Sequence, residues 1–418
     1  MALGLVAMSQ LVTVPKDLSV LSRIDHAAEC RPEEAGMSSD GVARIWRAVQ
    51  HLYRSGLQPA ITLVLRRGGK VVMKRSIGAV RGNGPGESGP IEVLQPDSPI
   101  CLFSASKAVT ALLVHQLAEQ GKLKLDDRVV DYIPEFGAHG KDRVTIRALL
   151  AHRAGIPKLP IHHPDPSLLR HWDAMVHMLC LAPPFDPRFE KQAYHALTSG
   201  FIIGELVQRV SGRPLREVLR TQITEPLGLR YLDYGLAPEL RHLAPRHHLT
   251  GPTPGWPLTA IAKRVLGVDF ARAVSASNDE AYLSSVVPAG NIFASADDIG
   301  RIFQMLLDRG SFNGVQVMQP HTVAESIRPA GGIQFDGTLG LPLRFSPGFM
   351  LGESPVGLWG PNCKSAFGHI GFMTVLCWAD PQRDISVAML NTGKSVSPTG
   401  LLRTAALVAA ITRACPPV

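Results

Sequence analysis

The first residues with chemistry in reach are Ser104 and Lys107, in the stretch Cys101-Leu102-Phe103-Ser104-Ala105-Ser106-Lys107. Beyond them, Ala108, Leu112, Leu113 and Leu117 recur at helical spacing, with no glycine or proline before Gly121. A helix here puts Ser104 and Lys107 on one face of its opening turn. A serine hydroxyl is a weak nucleophile until a neighbour takes its proton, and a lysine can do so if burial or another cation lowers its pKa. The free N–H groups and dipole of a helix start favour negative charge nearby. Spacing alone decides little: a chain this long holds about one or two Ser-x-x-Lys pairs by composition, and this chain holds one. A capping serine followed by a solvated lysine meets the same pattern.

The elements that must position this pair come from both ends of the chain. Residues 40–53 form an amphipathic helix capped by Ser38 or Ser39. Residues 60–65 and 70–73 flank Gly68-Gly69, a pair suited to a tight hairpin turn. The middle is more helical: 145–155, 201–209 and 215–221 carry helical patterns. Residues 235–282 are rich in proline and histidine without firm periodicity, which suits a wall or lid over a site. Ser295 followed by Asp298 signals a helix start. Strand patterns then run over 348–352, 371–378 and 385–391, before a last apolar helix over 401–411. One sheet built from both termini is expected. The division is an extended leader over 1–32, a discontinuous α/β domain over 33–125 and 290–418, and a mostly helical domain over 126–289.

Two more stretches carry weight: Tyr194-His195-Ala196-Leu197-Thr198-Ser199-Gly200, and Phe367-Gly368-His369-Ile370-Gly371-Phe372 ahead of a strand. Taken in order with Ser-x-x-Lys, they make the chain resemble the serine β-lactamase and penicillin-recognising superfamily from about Pro32 to Arg413. The nearer likeness is to its class C-like branch and the family VIII carboxylesterases. The resemblance implies an α+β fold, a central antiparallel sheet flanked by helices beside an all-α domain, with the site between them. It makes Ser104 the acyl-accepting nucleophile and Lys107 with Tyr194 the coupled groups that take its proton. His369 stands first in the family's Lys-Thr-Gly motif. The backbone N–H groups of Ser104 and Phe372 become the oxyanion hole, each donor worth about 3 kcal/mol in the transition state. Gly371 lets substrate approach the strand backbone closely.

Two departures bear on substrate. Ala196 stands where the family commonly has Asn, so an amide that would bind a substrate amide carbonyl is missing. His369 need not carry the permanent charge of a lysine, which suits a neutral ester over an anionic substrate. Phe372 and Met373 are bulky where relatives often have small residues, which is expected either to narrow the acyl pocket or to make it more apolar. Phe103, Trp256, Leu341 and Trp359 are candidates to line an apolar pocket.

Composition bounds the rest. A chain of 418 residues, 45% hydrophobic and 19% charged, can bury a large core. Its formal charge of +8 is scattered, with no basic stripe interleaved with aromatics, so nucleic acid is not an expected partner. The 6 cysteines are widely spaced and read as free thiols in a reducing compartment. No basic-apolar leader with a cleavage site and no membrane-length apolar run appears, so a cytoplasmic location is the default. The pairs His162-His163 and His247-His248 lack companions at metal-ligand spacing, and no phosphate or dinucleotide loop is present. No Gly-x-Ser-x-Gly elbow supports an α/β-hydrolase. The expected function is a serine carboxylesterase for short to medium acyl esters, with no metal or organic cofactor and some capacity to open β-lactams. A β-lactamase, D-amino-acid peptidase or acyltransferase of the same fold, or a non-catalytic penicillin-binding-like protein, are the alternatives.

Overall fold

The computed structural model describes residues 10–161, 165–256 and 267–418, with 259 and 263 singly. Among the described residues the main sheet has eight strands, seven of them in one continuous order: β1 (Ser22–Ile24), β2 (Ala60–Arg67), β3 (Lys70–Arg81), β4 (Met350–Leu351), β5 (Phe367–Gly371), β6 (Val375–Asp380) and β7 (Ile385–Asn391). Their spatial order is β1-β3-β2-β7-β6-β5-β4, antiparallel at every pairing, and the short strand Glu92–Val93 also pairs with β3. The centre joins the two ends of the chain, with Val64 opposite Ala388. Gly68 and Gly69, at φ 56° and 74°, make the β2–β3 turn in a conformation that side chains resist.

Strand alternation divides the core into two layers. Ile61, Leu63, Leu65, Trp378, Val387 and Met389 are buried with residues of α1 (Ser39–Tyr53) and of the C-terminal helix Pro398–Ala414. Val64, Cys377, Ala388 and Leu390 face the other way, into the core that holds α2 (Ser106–Glu119), α3 (Thr198–Ser211) and α4 (Ala296–Leu307). The C-terminal helix, α5, lies against α1, and α2 lies against α3. Ser38 caps α1 by accepting the Gly41 N–H at 3.1 Å. Ser295 and Asp298 exchange both bonds of a capping box at the start of α4. A buried ion pair, Arg66 to Asp297 at 2.5 Å, ties α4 to β2, and the adjacent guanidinium groups hold the Asp297 carboxyl below its usual range against burial.

Three expectations change. Part of the stretch expected as a leader is built in: Ser22–Ile24 is an edge strand along β3, with Leu18 and Leu21 buried beside it, while residues 1–9 lie outside the described residues. The helix expected over 145–155 is only Ile146–Leu150, because His152 takes a left-handed φ of 61°. The segment 235–282 has structure of its own: His248–Leu249 pairs in parallel with Gly393–Lys394, and helices Phe270–Ala276 and Glu280–Ser284 follow. Among the described residues no helix is long and apolar enough to cross a membrane.

Candidate active site

α2 starts at Ser106, so Ser104 sits in the short 3-10 turn Phe103–Ala105 just ahead of it. Phe103 has φ 48°, a left-handed conformation that costs a non-glycine residue about 1–2 kcal/mol. The turn carries the chain out of strand Ile100–Cys101 and into α2. Burial of the Phe103 ring offsets the strain. Its ring lies edge-on to His247 at 4.7 Å and to Phe372 at 5.3 Å, and the Lys394 Nζ lies 4.7 Å from its centroid. The Phe103 N–H donates to Cys101 Sγ at 3.4 Å.

Lys107 reaches from the first turn of α2 back to the nucleophile. Its Nζ donates to the carbonyls of Ala196 at 2.7 Å and Ala289 at 2.9 Å, and lies 3.2 Å from Ser104 Oγ. Burial, with no ion-pair partner among the described residues, drives its pKa well below that of an ordinary lysine. A neutral amine has two hydrogens and one lone pair. The two carbonyls take the hydrogens, which leaves the lone pair for the Ser104 hydroxyl. Gly200, near the start of α3, permits this approach, since a Cβ there would stand 2.5 Å from Ala289 N.

Tyr194 completes the group. Its ring centroid is 4.9 Å from Lys107 Nζ, and burial raises its pKa above that of a free tyrosine, against the opposing pull of the neighbouring Ser104 hydroxyl. The phenol is therefore protonated at neutral pH. His152 packs on the ring at a centroid distance of 4.6 Å, and Phe345 stacks on it at 6.3 Å.

His369 lies on β5, buried, 6.1 Å from Tyr194 between ring centroids. Its Nδ1 is 2.9 Å from the Ile370 carbonyl. A carbonyl only accepts, so Nδ1 carries the proton and Nε2 is left as a buried acceptor without a partner among the described residues. Burial, helped by Lys107, lowers its pKa to about 3, so the ring is neutral. At the end of β5, a Cβ on Gly371 would come within 2.1 Å of the Leu102 carbonyl. The strand end and the nucleophile turn thus adjoin through bare backbone, with Phe372 next in the chain.

The structure brings Ser104, Lys107, Tyr194 and His369 together around that junction, and most of the expected pocket residues it places elsewhere. Trp359 is core: fully buried, stacked on Trp378 at 5.7 Å, its Nε1–H donating to the Met350 carbonyl. Trp256 is 85% exposed at the surface. Leu341 is 51% exposed on a small hairpin formed by Gln334–Phe335 and Pro342–Leu343. Phe103 supports the nucleophile from behind. Of the histidine pairs, His162-His163 lies outside the described residues, while His247 packs on Phe103 and His248 faces Glu87 at 3.5 Å. Among the described residues no group of three or more His, Cys, Asp or Glu could hold a metal ion. Sequence reasoning missed the Ala289 carbonyl, Asp336 and Lys394. Each acts through a contact that no local spacing announces.

Comparison with known proteins bears on the family and the fold. A family model described as Beta-lactamase matches residues 47–410. The chain is 29% identical over 306 residues to an esterase/beta-lactamase, LipL, of Mycobacterium tuberculosis, covering 71% of this chain and 69% of that one. The crystal structure of a family VIII carboxylesterase superposes with a TM-score of 0.75 at 25% identity, over 89% of this chain and 98% of that one. A penicillin-binding protein homolog from Caulobacter crescentus gives 0.74 at 27%, over 90% and 98%. With a central antiparallel sheet between helices and a match across most of its length, the chain belongs to the beta-lactamase family of serine hydrolase folds.

Proposed function

We propose that the protein is a serine carboxylesterase that cleaves short to medium acyl esters through an acyl-enzyme on Ser104. The observation that carries this is the Lys107 amine: buried, held by two carbonyls and 3.2 Å from Ser104 Oγ. The Ser104 proton passes to Lys107 Nζ as Oγ bonds the ester carbonyl carbon. The resulting oxyanion takes hydrogen bonds from the backbone N–H groups of Ser104 and Phe372. As the tetrahedral adduct collapses, the bond to the alkoxy oxygen breaks. Tyr194 donates its phenol proton to that oxygen, and the proton held on Lys107 then passes to the phenolate, which restores both groups. Water then repeats the sequence on the acyl-enzyme and releases the acid.

Support for an ester over a β-lactam comes from His369 and Ala196. A neutral imidazole offers no fixed cation to a substrate carboxylate, and an alanine side chain offers no amide to a substrate carbonyl. The alcohol and acyl groups would meet a rim with the bulk of Phe372 beside it.

Intact-mass spectrometry after brief exposure to a nitrophenyl ester, a chromogenic cephalosporin and a D-Ala-D-Ala peptide tests this reading, with Ser104→Ala as control. The expected result is an acyl adduct that is lost in Ser104→Ala, with turnover fastest on the ester. Faster turnover of the cephalosporin or peptide would move the protein to another activity of its family. A large rate gain with one added alcohol or amine over water would make it an acyltransferase. No adduct and no turnover on any of the three would favour a binding protein.

A further inference from the structure

We infer that Asp336 is a positioning residue for Tyr194, holding its backbone so that the phenol stays beside Ser104 and Lys107. This rests on the role proposed above for Tyr194. Asp336 comes from the segment that follows helix Pro320–Ile327, 142 positions from Tyr194 in the chain, and its side chain is fully buried.

Tyr194 lies in a stretch with neither helix nor strand, so its backbone groups must be met from outside. They are met almost residue by residue. The Gln192 carbonyl accepts the Gly337 N–H at 2.9 Å, and the Ala193 N–H donates to the His152 carbonyl at 3.1 Å. The Tyr194 N–H donates to Asp336 Oδ1 at 3.0 Å, and the His195 N–H donates to His152 Nδ1 at 3.2 Å. Two side chains from distant parts of the chain thus take two successive amides on either side of the phenol. The same Oδ1 also accepts the N–H groups of Thr338 and Leu339, each at 2.9 Å, so one oxygen fastens the 336–339 turn to the Tyr194 backbone.

The placement is a costly one. Among the described residues no lysine or arginine pairs with Asp336, and its buried Oδ2 has no hydrogen-bond partner. A buried carboxylate oxygen without a partner is disfavoured. Closing its own turn would not require burial, since a surface Asn or Ser serves that purpose. What burial adds is reach to the Tyr194 N–H.

The test uses the full chain and a nitrophenyl ester, with Tyr194→Phe, Asp336→Ala, Asp336→Asn and the Tyr194→Phe/Asp336→Ala double variant. Displacing a reacting group by about 1 Å costs about 100-fold, so Asp336→Ala should lose about that factor in kcat with little change in KM. Asp336→Asn keeps an acceptor for the Tyr194 N–H and should recover most of it. If Asp336 acts through the phenol, the double variant is no slower than Tyr194→Phe alone. A folded Asp336→Ala enzyme with wild-type kcat, or losses that multiply in the double variant, would overturn the inference.

Should Asp336→Ala fail to fold, Asp336→Ser decides, since a shorter hydroxyl can still close the 336–339 turn without reaching the Tyr194 N–H. It should lower kcat with little change in KM, and the loss should vanish in a Tyr194→Phe background; wild-type kcat, or a loss that persists in that background, counts against the inference. Tyr194→Phe at full rate would instead remove the functional reading, whatever Asp336 does.

Discussion

Replacing Lys394 by Met should make the protein relatively more stable in mild acid than in mild alkali, and the size of the effect follows from where the amine sits. Lys394 is fully buried, and among the described residues no carboxylate pairs with it. Its Nζ donates to the Asn391 carbonyl at 3.0 Å and Oδ1 at 3.4 Å, and lies over the Phe103 ring. Burial lowers its pKa to about 7, against about 10.4 in an unfolded chain. Between those values the unfolded chain holds a proton that the folded protein has released, so wild-type stability rises with pH across this window. Integrated from about pH 6.5 to 9.5, the gain is about 3 kcal/mol. Lys107 contributes in the same direction but is present in both proteins and cancels. Urea unfolding at those two pH values gives the difference directly. Lys394→Met should lose the pH-linked gain, and in acid should match or exceed wild type, since a thioether needs no hydration. A stability difference between variant and wild type that stays constant from pH 6.5 to 9.5 would refute a depressed pKa for Lys394.

Further predictions follow from the same site. Lys107→Met should slow acylation by about 10²–10⁴-fold yet raise the melting temperature, because a desolvated amine is removed; normal acylation in stopped-flow measurements would speak against Lys107 as proton acceptor. Gly371→Ala puts a methyl group 2.1 Å from the Leu102 carbonyl, so the strand end must move and kcat should fall by about 10–100-fold; wild-type kcat would show that the junction is not where the oxyanion is held. His369, with its pKa lowered to about 3, leaves its proton on the unfolded chain alone between about pH 3 and 6.5. Wild-type stability therefore falls as pH drops through that window. His369→Gln should lose about 2 kcal/mol less than wild type between pH 7.5 and 5, measured by chemical unfolding, and identical losses would place the imidazole in water.

What could be read from the sequence was local. Ser104 and Lys107 share one turn, Ser38 and Ser295 cap the helices that follow them, and Gly68-Gly69 sits between two strand patterns; in each case the cause lies within a few residues of its effect. β7 was legible because Ile385–Asn391 is buried along its whole length. The helix expected through Gly155 stops at Leu150 because His152 turns left-handed and uses its carbonyl and Nδ1 on the Tyr194 segment, a contact 40 or so positions away that no propensity encodes. Trp359 and Trp256 reversed expectations for a similar reason. An aromatic side chain suits a pocket, a core or a surface equally well until its neighbours are known. Asp336 and Lys394 are isolated charges in unremarkable stretches, and only the folded chain shows that each is buried against the site.

The sheet's central seam has a consequence for how this protein is made. β2 leaves the ribosome long before its partner β7 is synthesised. Throughout elongation, β2 and β3 form a ribbon whose inner margin is open to any other strand in the cell, which is the setting in which chains associate wrongly. Only the arrival of β7 seals that margin, after which α5 can lie across α1. Nascent chains stalled or clipped before about Asn391 should therefore depend on chaperones and aggregate without them, although the nucleophile and its lysine were finished long before.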